Sequence, residues 1–231
     1  MILGHSRKIT VYSMGRMPLP LAKPVSGPMT TSSDTVQFLR AVLRDPSRVG
    51  AVAPSGRSLA RLITADLTPA HVPIIELGPG TGTFTQALIG RGVPEHAITL
   101  IEADATFAKN LRVRFPQARV LAMDATNLEQ MATPVGGAAG AVVSGLPLLS
   151  LPPDRVVSIL RGVFRHLRQG GALYQFTYLP RCPVPGRVMS LLQLEATRVG
   201  CAWANLPPAF VFRISRRLSA RPESSNTRRA S

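Results

Sequence analysis

The chain has 231 residues, with a hydrophobic fraction of 45 % and a charged fraction of 17 %, so it is long and apolar enough for one globular domain with a full core. Its formal net charge of +15 favours phosphate-bearing partners, either nucleic acid or an anionic membrane. Two cysteines and four scattered histidines exclude a disulfide scaffold, and they predict no metal site.

The two ends of the chain differ from its middle. Residues 1–33 and 216–231 are basic and show neither helical nor strand periodicity, which predicts two disordered basic tails. A domain is expected between them, over residues 34–215, with an N-terminal helical part over residues 34–70. The N-terminus lacks the apolar segment of a secretory signal, so no export signal is expected.

A first helix is predicted from Asp34 to about Arg44, because Asp34 can cap it and Pro46 stops it. Its apolar side chains share one face, and arginines lie along the edge of that face. The apolar residues are Val36, Phe38, Leu39, Val42 and Leu43, and the edge residues are Arg40 and Arg44. Such a helix suits a membrane interface, but an ordinary helix packed on the core has the same pattern.

Strand-like and helical segments then alternate, which predicts a parallel sheet with helices on both faces. The predicted strands are residues 72–77, 97–102, 118–123, 138–145 and 172–179. The predicted helices are residues 81–90, 105–115, 154–167 and about 187–198. Residues 201–204 and 210–215 are expected to close the sheet as an antiparallel pair. The expected fold is therefore α/β, a doubly wound and mostly parallel seven-stranded sheet.

A glycine-rich loop follows the first strand of this sheet and precedes a helix. It contains Gly78, Gly80 and Gly82 in a G-x-G-x-G spacing, with Pro79 stiffening the turn. Glycines allow a sharp turn and let a ligand approach the backbone. The spacing differs from the G-x-G-x-x-G of dinucleotide-binding proteins, in which the third glycine comes one residue later.

Acidic residues end the next two strands. A carboxylate at Glu102 can accept hydrogen bonds from both hydroxyls of a ribose, and Asp124, followed by Ala125, is placed to bind an adenine amino group. Helix capping is the alternative role of these acids. Two acids at successive strand ends after such a loop favour the nucleoside-binding interpretation.

These motifs resemble the class I S-adenosylmethionine-dependent methyltransferases over residues 70–215. The resemblance implies the class I methyltransferase fold, S-adenosyl-L-methionine as cofactor and S-adenosyl-L-homocysteine as product. The cofactor-binding residues that it implies are Ser55, Glu76, Gly78, Gly80, Gly82, Thr83, Glu102, Ala103, Asp124, Ala125, Ser144, Gly145 and Leu146. For Ser55, a capping role in the turn before a helix is an equally good alternative.

Four further segments, residues 50–55, 143–148, 174–178 and 205–209, make the chain similar to the bacterial phospholipid N-methyltransferases of the soluble, peripheral type. The resemblance covers residues 34–213. It implies stepwise methylation of phosphatidylethanolamine, through mono- and dimethyl forms, to phosphatidylcholine. It also implies a cytoplasmic enzyme on the inner face of the cell membrane, docked on an anionic surface through the N-terminal helix residues Val36, Phe38, Leu39, Arg40, Leu43 and Arg44.

The substrate side of the expected site lies past the fourth and fifth strands. Tyr178 is nearest the end of its strand and is the candidate for the amine-facing hydroxyl and ring, with Ser144 as the second catalytic candidate. Tyr174 is expected to lie deeper. Arg187 and then Arg181 are the candidates for binding the lipid phosphate.

Two other functions remain open. Ribosomal RNA adenine dimethylases share the glycine loop, but base methylation usually needs an aromatic ring that stacks on the extruded base. Here, in residues 144–148, Leu148 stands where the stacking ring would be, and Ser144 stands at the polar first position of the motif. Stable nucleic-acid binding is therefore not expected. Other small-molecule N-methylation is the second enzymatic alternative. A non-enzymatic basic lipid- or RNA-binding module is disfavoured by the intact loop and its two acids.

Overall fold

The computed structural model describes residues 54–205 and 207–217. The predicted tails lie outside the described residues, except for residues 216 and 217. The predicted helix at residues 34–44 also lies outside them. The same is true of the six residues expected to contact the membrane, Val36, Phe38, Leu39, Arg40, Leu43 and Arg44.

Seven strands form one sheet in the order β3-β2-β1-β4-β5-β7-β6. The strands are β1 (Ile74–Leu77), β2 (Ile98–Glu102), β3 (Arg119–Ala122), β4 (Ala139–Ser144), β5 (Leu167–Thr177), β6 (Leu194–Ala202) and β7 (Ala209–Arg216). The first five pair in parallel, and β7 pairs antiparallel with both β5 and β6. The predicted doubly wound, mostly parallel sheet is confirmed.

Within residues 54–205 and 207–217, five α-helices cover the two faces of the sheet. They are α1 (Pro54–Ile63), α2 (Thr83–Ile89), α3 (Ala105–Arg114), α4 (Pro153–His166) and α5 (Gly186–Leu191). Helices α1, α2 and α3 bury apolar side chains against one face, while α4 and α5 bury theirs against the other. In α4 the predicted apolar stripe is the buried one, formed by Val156, Ile159, Leu160 and Val163. Each such burial contributes about 1.5–3 kcal/mol.

One prediction from the helical pattern is wrong. The helix expected at residues 187–198 ends at Leu191, and residues 194–202 form β6 instead. Gln193 has a φ of 53°, which interrupts the helix, and β6 then pairs with β7 along its whole length. Because β6 is an edge strand, residues 195–198 are exposed and show no strand alternation.

The remaining elements differ from prediction only in their ends. Strand β5 begins at Leu167, directly after α4, and ends at Thr177. Strand β7 extends to Arg216, one residue past the expected end of the domain. In the part of the chain that the structure describes, no helix has the length and apolarity needed to cross a bilayer.

Candidate active site

The glycine loop adopts backbone conformations that only glycine tolerates well. Gly78, Gly80 and Gly82 have φ values of 63°, 54° and 80°. The Gly82 amide donates to the Pro79 carbonyl at 2.8 Å, which closes the turn, and α2 begins at the next residue. A Cβ atom added at Gly80 would meet nothing within 4 Å. The space beside Gly80 is therefore open, whereas a Cβ atom at Gly78 or Gly82 would clash with Leu146 or Phe115.

The loops after β1, β2 and β4 are locked together at the carboxyl edge of the sheet. The Gly78 amide donates to the Ile101 carbonyl at 2.9 Å, and the Gly145 amide donates to the Leu77 carbonyl at 2.8 Å. A Cβ atom at Gly145 would lie 2.6 Å from the Gly78 carbonyl oxygen. Gly145 is therefore required by the close approach of two backbones, in addition to its predicted contact with a ligand.

Glu102 holds the glycine loop by its carboxylate. Its Oε2 accepts from the Gly80 amide and its Oε1 from the Asp104 amide, both at 3.0 Å, and only 8 % of the residue is exposed. A carboxylate has about four acceptor positions, so two remain for the predicted ribose hydroxyls. Ala103, between the two acids, is exposed above the strand end.

Glu76 is a fully buried acid directly below the loop. Its Oε2 accepts from the Thr85 hydroxyl at 2.7 Å, whereas its Oε1 has no hydrogen-bond partner among the described residues. Burial raises the pKa of Glu76 to about 7, against the lowering effect of the Thr85 hydrogen bonds. An unpaired buried acceptor at this position is suited to a ligand that carries a positive charge or a donor.

Asp124 is engaged on both carboxylate oxygens. Its Oδ1 accepts from the amide and the hydroxyl of Thr126, both at 2.8 Å, and its Oδ2 pairs with Arg155. Burial alone would raise its pKa, but these donors outweigh it and hold the pKa below its usual value. Asp124 thus caps the short 3-10 helix Ala125–Gln130, and an adenine amino group there would share Oδ2 with Arg155. Arg155 was not predicted from the sequence.

The loop after β4 is fixed from below by two polar side chains. The Ser144 hydroxyl accepts from the Leu146 amide at 3.2 Å, and Gln175 Nε2 donates to the Leu146 carbonyl at 2.9 Å. Both side chains are buried, and the sheet register pairs Ser144 with Gln175. Ser144 is 1 % exposed, so it acts on the site through Leu146. Gln175 was missed, although a glutamine inside an apolar strand is an available signal.

Three aromatic rings meet at the carboxyl end of β5. The Phe176 ring packs edge-on against Phe84 at 6.0 Å and against Tyr178 at 5.6 Å between centroids. Burial raises the pKa of Tyr178, so its phenol stays protonated at neutral pH. Tyr174 is 4 % exposed and belongs to the core, as expected, and burial raises its pKa as well. Phe84, the second residue of α2, was missed.

The remaining predicted residues lie around this centre. Thr83 is the first residue of α2, and Ser55 lies inside α1, although its side chain is outside the description. Arg181 and Arg187 are both exposed on the segment that leaves β5 at the carboxyl edge. The described residues hold no group of three acidic, histidine or cysteine side chains that could bind a metal.

A family model described as "Methyltransferase domain" matches residues 74–171 of this chain. The chain is 30 % identical over 152 residues to an ornithine lipid N-methyltransferase from Singulisphaera acidiphila, covering 64 % of this chain and 79 % of that protein.

Among solved structures, a TehB-like S-adenosylmethionine-dependent methyltransferase from Corynebacterium glutamicum matches with a TM-score of 0.55 and 18 % identity. This match covers 80 % of the chain and all of that structure. The N-methyltransferase NodS from Bradyrhizobium japonicum, in complex with S-adenosyl-L-homocysteine, matches with a TM-score of 0.53 and 18 % identity, covering 78 % and 97 %. At this identity the two structures show a shared fold.

The residues present fit such a nucleoside ligand. Space lies open above Gly80, Glu102 keeps free acceptor positions at the end of β2, and buried Glu76 lacks a donor for Oε1. Two acids and a glycine loop suit a ribose together with a positively charged aminoacyl group.

Proposed function

Because this chain belongs to the class I S-adenosylmethionine-dependent methyltransferases, we propose that it methylates the amino group of a membrane lipid. The proposed reaction converts phosphatidylethanolamine, through its mono- and dimethyl forms, to phosphatidylcholine at the cytoplasmic membrane surface. The observation that carries this proposal is the aromatic cluster of Phe84, Phe176 and Tyr178 beside the glycine loop. The 30 % identical lipid N-methyltransferase supports it.

The bound cofactor, S-adenosyl-L-methionine, supplies an electrophilic methyl group on a sulfonium sulfur. A lipid amine with a pKa of about 10 is protonated at pH 7, and deprotonating it costs about 4 kcal/mol. The aromatic cluster lowers this cost by removing water from around the ammonium group. The same rings stabilise the methylated cations that form in later rounds.

Tyr178 orients the amine and does not remove its proton. Its pKa is raised by burial, so phenolate is scarce at neutral pH, while the phenol oxygen can still accept a hydrogen bond. The loop of Ser144, Gly145 and Leu146 is proposed to hold the aminoacyl group of the cofactor. Gln175 keeps this loop in place through the Leu146 carbonyl.

The exposed Arg187 and Arg181 are proposed to bind the lipid phosphate as it approaches the carboxyl edge. A second candidate substrate is an ornithine lipid, which is favoured by the curated relative. An ornithine head group presents its amine without an adjacent phosphodiester. Arg187→Ala should therefore raise the KM for phosphatidylethanolamine and leave that for an ornithine lipid unchanged.

Methylation of nucleic-acid bases is disfavoured by a further observation. Leu148 occupies the position expected to stack on an extruded base, and it is only 2 % exposed. It packs in the core on the α4 side of the sheet. No ring is offered there for stacking.

The proposal is tested with labelled S-adenosyl-L-methionine and detergent-dispersed lipids, whose products are separated by thin-layer chromatography. The substrates are phosphatidylethanolamine, its mono- and dimethyl forms, and an ornithine lipid. We expect the parent to give labelled mono-, di- and trimethyl products. For the dimethyl substrate, Tyr178→Phe should keep the kcat of the parent, and Tyr178→Ala should have a much lower kcat. Label in the ornithine lipid alone would show that the substrate is an ornithine lipid and not phosphatidylethanolamine. The absence of label from both kinds of lipid would refute aminolipid methylation.

A further inference from the structure

A groove of about 710 Å³ lies between α1 and α2 on the outer side of the domain. Four arginines line it, namely Arg57, Arg61, Arg91 and Arg114, and none of its lining residues is acidic. None of these arginines has a role in the site predicted from the sequence. Arg57 and Arg61 lie on α1, Arg91 follows α2, and Arg114 ends α3. Their clustering around one groove makes a local positive potential that exceeds that of scattered surface charges.

Arg91 is held in place by neutral partners. Its Nε donates to the Thr64 hydroxyl at 3.0 Å, and its two terminal nitrogens donate to the carbonyls of Ala65 and Arg61 at 3.0 and 3.1 Å. None of these contacts neutralises the charge. The guanidinium is thus fixed before any anion arrives, which reduces the entropy lost on binding.

Arg114 is fixed in the same way on the other side of the groove. It donates to the Thr81 carbonyl at 2.6 Å and its guanidinium lies 5.2 Å from the centre of the Phe115 ring. Arg57 and Arg61 are exposed on α1, and among the described residues no carboxylate forms an ion pair with any of the four arginines. Guanidinium groups arranged in this way match the oxygens of phosphate groups.

The groove reaches the edge of the sheet where the active site lies. Thr81 and Thr83, which lead from the glycine loop into α2, line one end of it. Arg91, which follows α2, contacts the last turn of α1 at the other end. The single tryptophan, Trp203, follows β6 at the same carboxyl edge and is 75 % exposed. Exposed tryptophan side chains favour the interface between membrane and water.

The chain segments outside the description are poor occupants for this groove. Residues 1–53 carry seven basic and two acidic residues, and residues 218–231 carry three basic residues and one acidic residue. Both segments are net positive and would be repelled by four arginines. The complementary occupant is therefore an external anion.

We propose that the groove between α1 and α2 seats the phosphate groups of anionic lipids and docks the protein on a negatively charged membrane. The choice of a lipid over another polyanion rests on the proposed function. The groove then directs the carboxyl edge, with the aromatic cluster and Trp203, towards the lipid surface. This docking surface is formed by described residues and shares no residue with the helix predicted at residues 34–44.

The test reverses two charges in the groove of the full-length chain. The double variant Arg57→Glu/Arg61→Glu removes the two exposed arginines, which lie four residues apart on α1. The matched control is Arg161→Glu/Arg165→Glu, an exposed pair with the same spacing on α4, across the sheet. Both variants make the same change in net charge. Binding to vesicles of phosphatidylethanolamine and phosphatidylglycerol is measured by co-sedimentation and by the fluorescence of Trp203.

We expect the groove variant to bind about thirtyfold more weakly than the parent, since each of the two arginines near an anionic surface contributes about fivefold. The control pair should change binding by less than about threefold. Raising the salt concentration should weaken the parent more than the groove variant. Thermal unfolding checks that both variants fold, and Arg57→Gln/Arg61→Gln replaces the groove variant if it does not.

Equal losses of vesicle binding in the groove variant and the control variant would show that only net charge matters, which would overturn the proposed docking surface. Unchanged vesicle binding in the groove variant would overturn it as well. A single-stranded RNA is tested in parallel. Groove-dependent RNA binding with groove-independent vesicle binding would assign the groove to nucleic acid and overturn the proposal. If the parent docks through the groove but transfers no methyl group to aminolipids, the proposed function fails and the docking surface stands.

Discussion

Glu102 connects the cofactor site to the glycine loop, because one carboxylate binds the Gly80 amide and keeps acceptor positions for a ribose. Removing it in Glu102→Ala takes away charged hydrogen bonds worth about 1.5–3 kcal/mol each. We therefore expect the Kd for S-adenosyl-L-homocysteine, measured by calorimetry, to rise by at least about tenfold. Vesicle binding should not change.

The matched control for Glu102 is Glu129→Ala, which removes an exposed acid elsewhere on the domain. It should leave the Kd unchanged. An equal loss of cofactor and vesicle binding in Glu102→Ala would mean that the residue supports the fold as a whole. An unchanged Kd would contradict the ribose-binding role.

Glu76 should make the stability of the domain depend on pH. Its pKa is about 7 in the folded protein against 4.5 for an exposed side chain, so the folded state holds a proton that the unfolded chain has lost between these values. The free energy of unfolding should therefore fall as the pH rises from 4.5 to 7, by at most about 3 kcal/mol from this group. Above pH 7 its contribution should be constant.

Comparison of the parent with Glu76→Gln isolates this effect from the other carboxyl groups, Asp124 among them. Denaturant unfolding at several pH values gives the difference between the two proteins. Glutamine keeps the shape and an acceptor for Thr85 but carries no charge. A difference that stays the same from pH 4.5 to 7 would contradict the raised pKa.

At the scale of elements, the loops after β1 and β4 are the pair on which the site depends. Gly145→Ala would place a Cβ atom 2.6 Å from the Gly78 carbonyl oxygen, and backbone on both sides leaves little room for adjustment. We expect a lower thermal midpoint and at least about tenfold weaker cofactor binding, since the glycine loop is pushed out of place.

Gly186→Ala is the control for this glycine. Gly186 begins α5, and an added Cβ atom there would meet nothing within 4 Å. It should change neither the midpoint nor the cofactor Kd. Equal effects of the two substitutions, or none from Gly145→Ala, would contradict the close packing of the two loops.

The sequence predicts most elements because their patterns are local. Strands β1, β2 and β4 are fully buried and mostly apolar, β3 is only partly buried, and the predicted ends of all four lie within two residues of the observed ones. The end of β6 and its antiparallel pairing with β7 were predicted, but residues 194–198 were predicted to be helical because they also form helices readily and, at an edge, show no alternation. Only its long-range pairing with β7 makes it a strand, and no local pattern contains that information.

The same distinction applies to the site. The glycine loop, Glu102 and Asp124 were predictable since the ends of parallel strands meet at one edge. The roles of Gln175, Arg155 and Phe84 depend on sheet register and on packing between distant segments. A sequence motif shows which side chains reach the edge. It does not show which neighbours hold them there.

At the scale of the whole molecule, the positive charge, +15 in total, is not evenly distributed over the surface. Four arginines line one groove beside the active-site edge, and the exposed Trp203 lies at that same edge. The glycine loop, the aromatic cluster and the proposed docking surface therefore all adjoin the carboxyl edge of the sheet. This arrangement suits an enzyme whose substrate is held in a surface and whose cofactor comes from solution.

The central claim, methylation of a lipid amine, is tested most directly by one partition experiment. The purified chain receives labelled S-adenosyl-L-methionine together with phosphatidylethanolamine vesicles and total RNA in the same reaction, and the lipid and RNA fractions are then separated and counted. Methylation of a lipid amine predicts label in the lipid fraction, in mono-, di- and trimethylated forms. Label in the RNA fraction alone would contradict it and would assign the aromatic cluster to a nucleic-acid substrate.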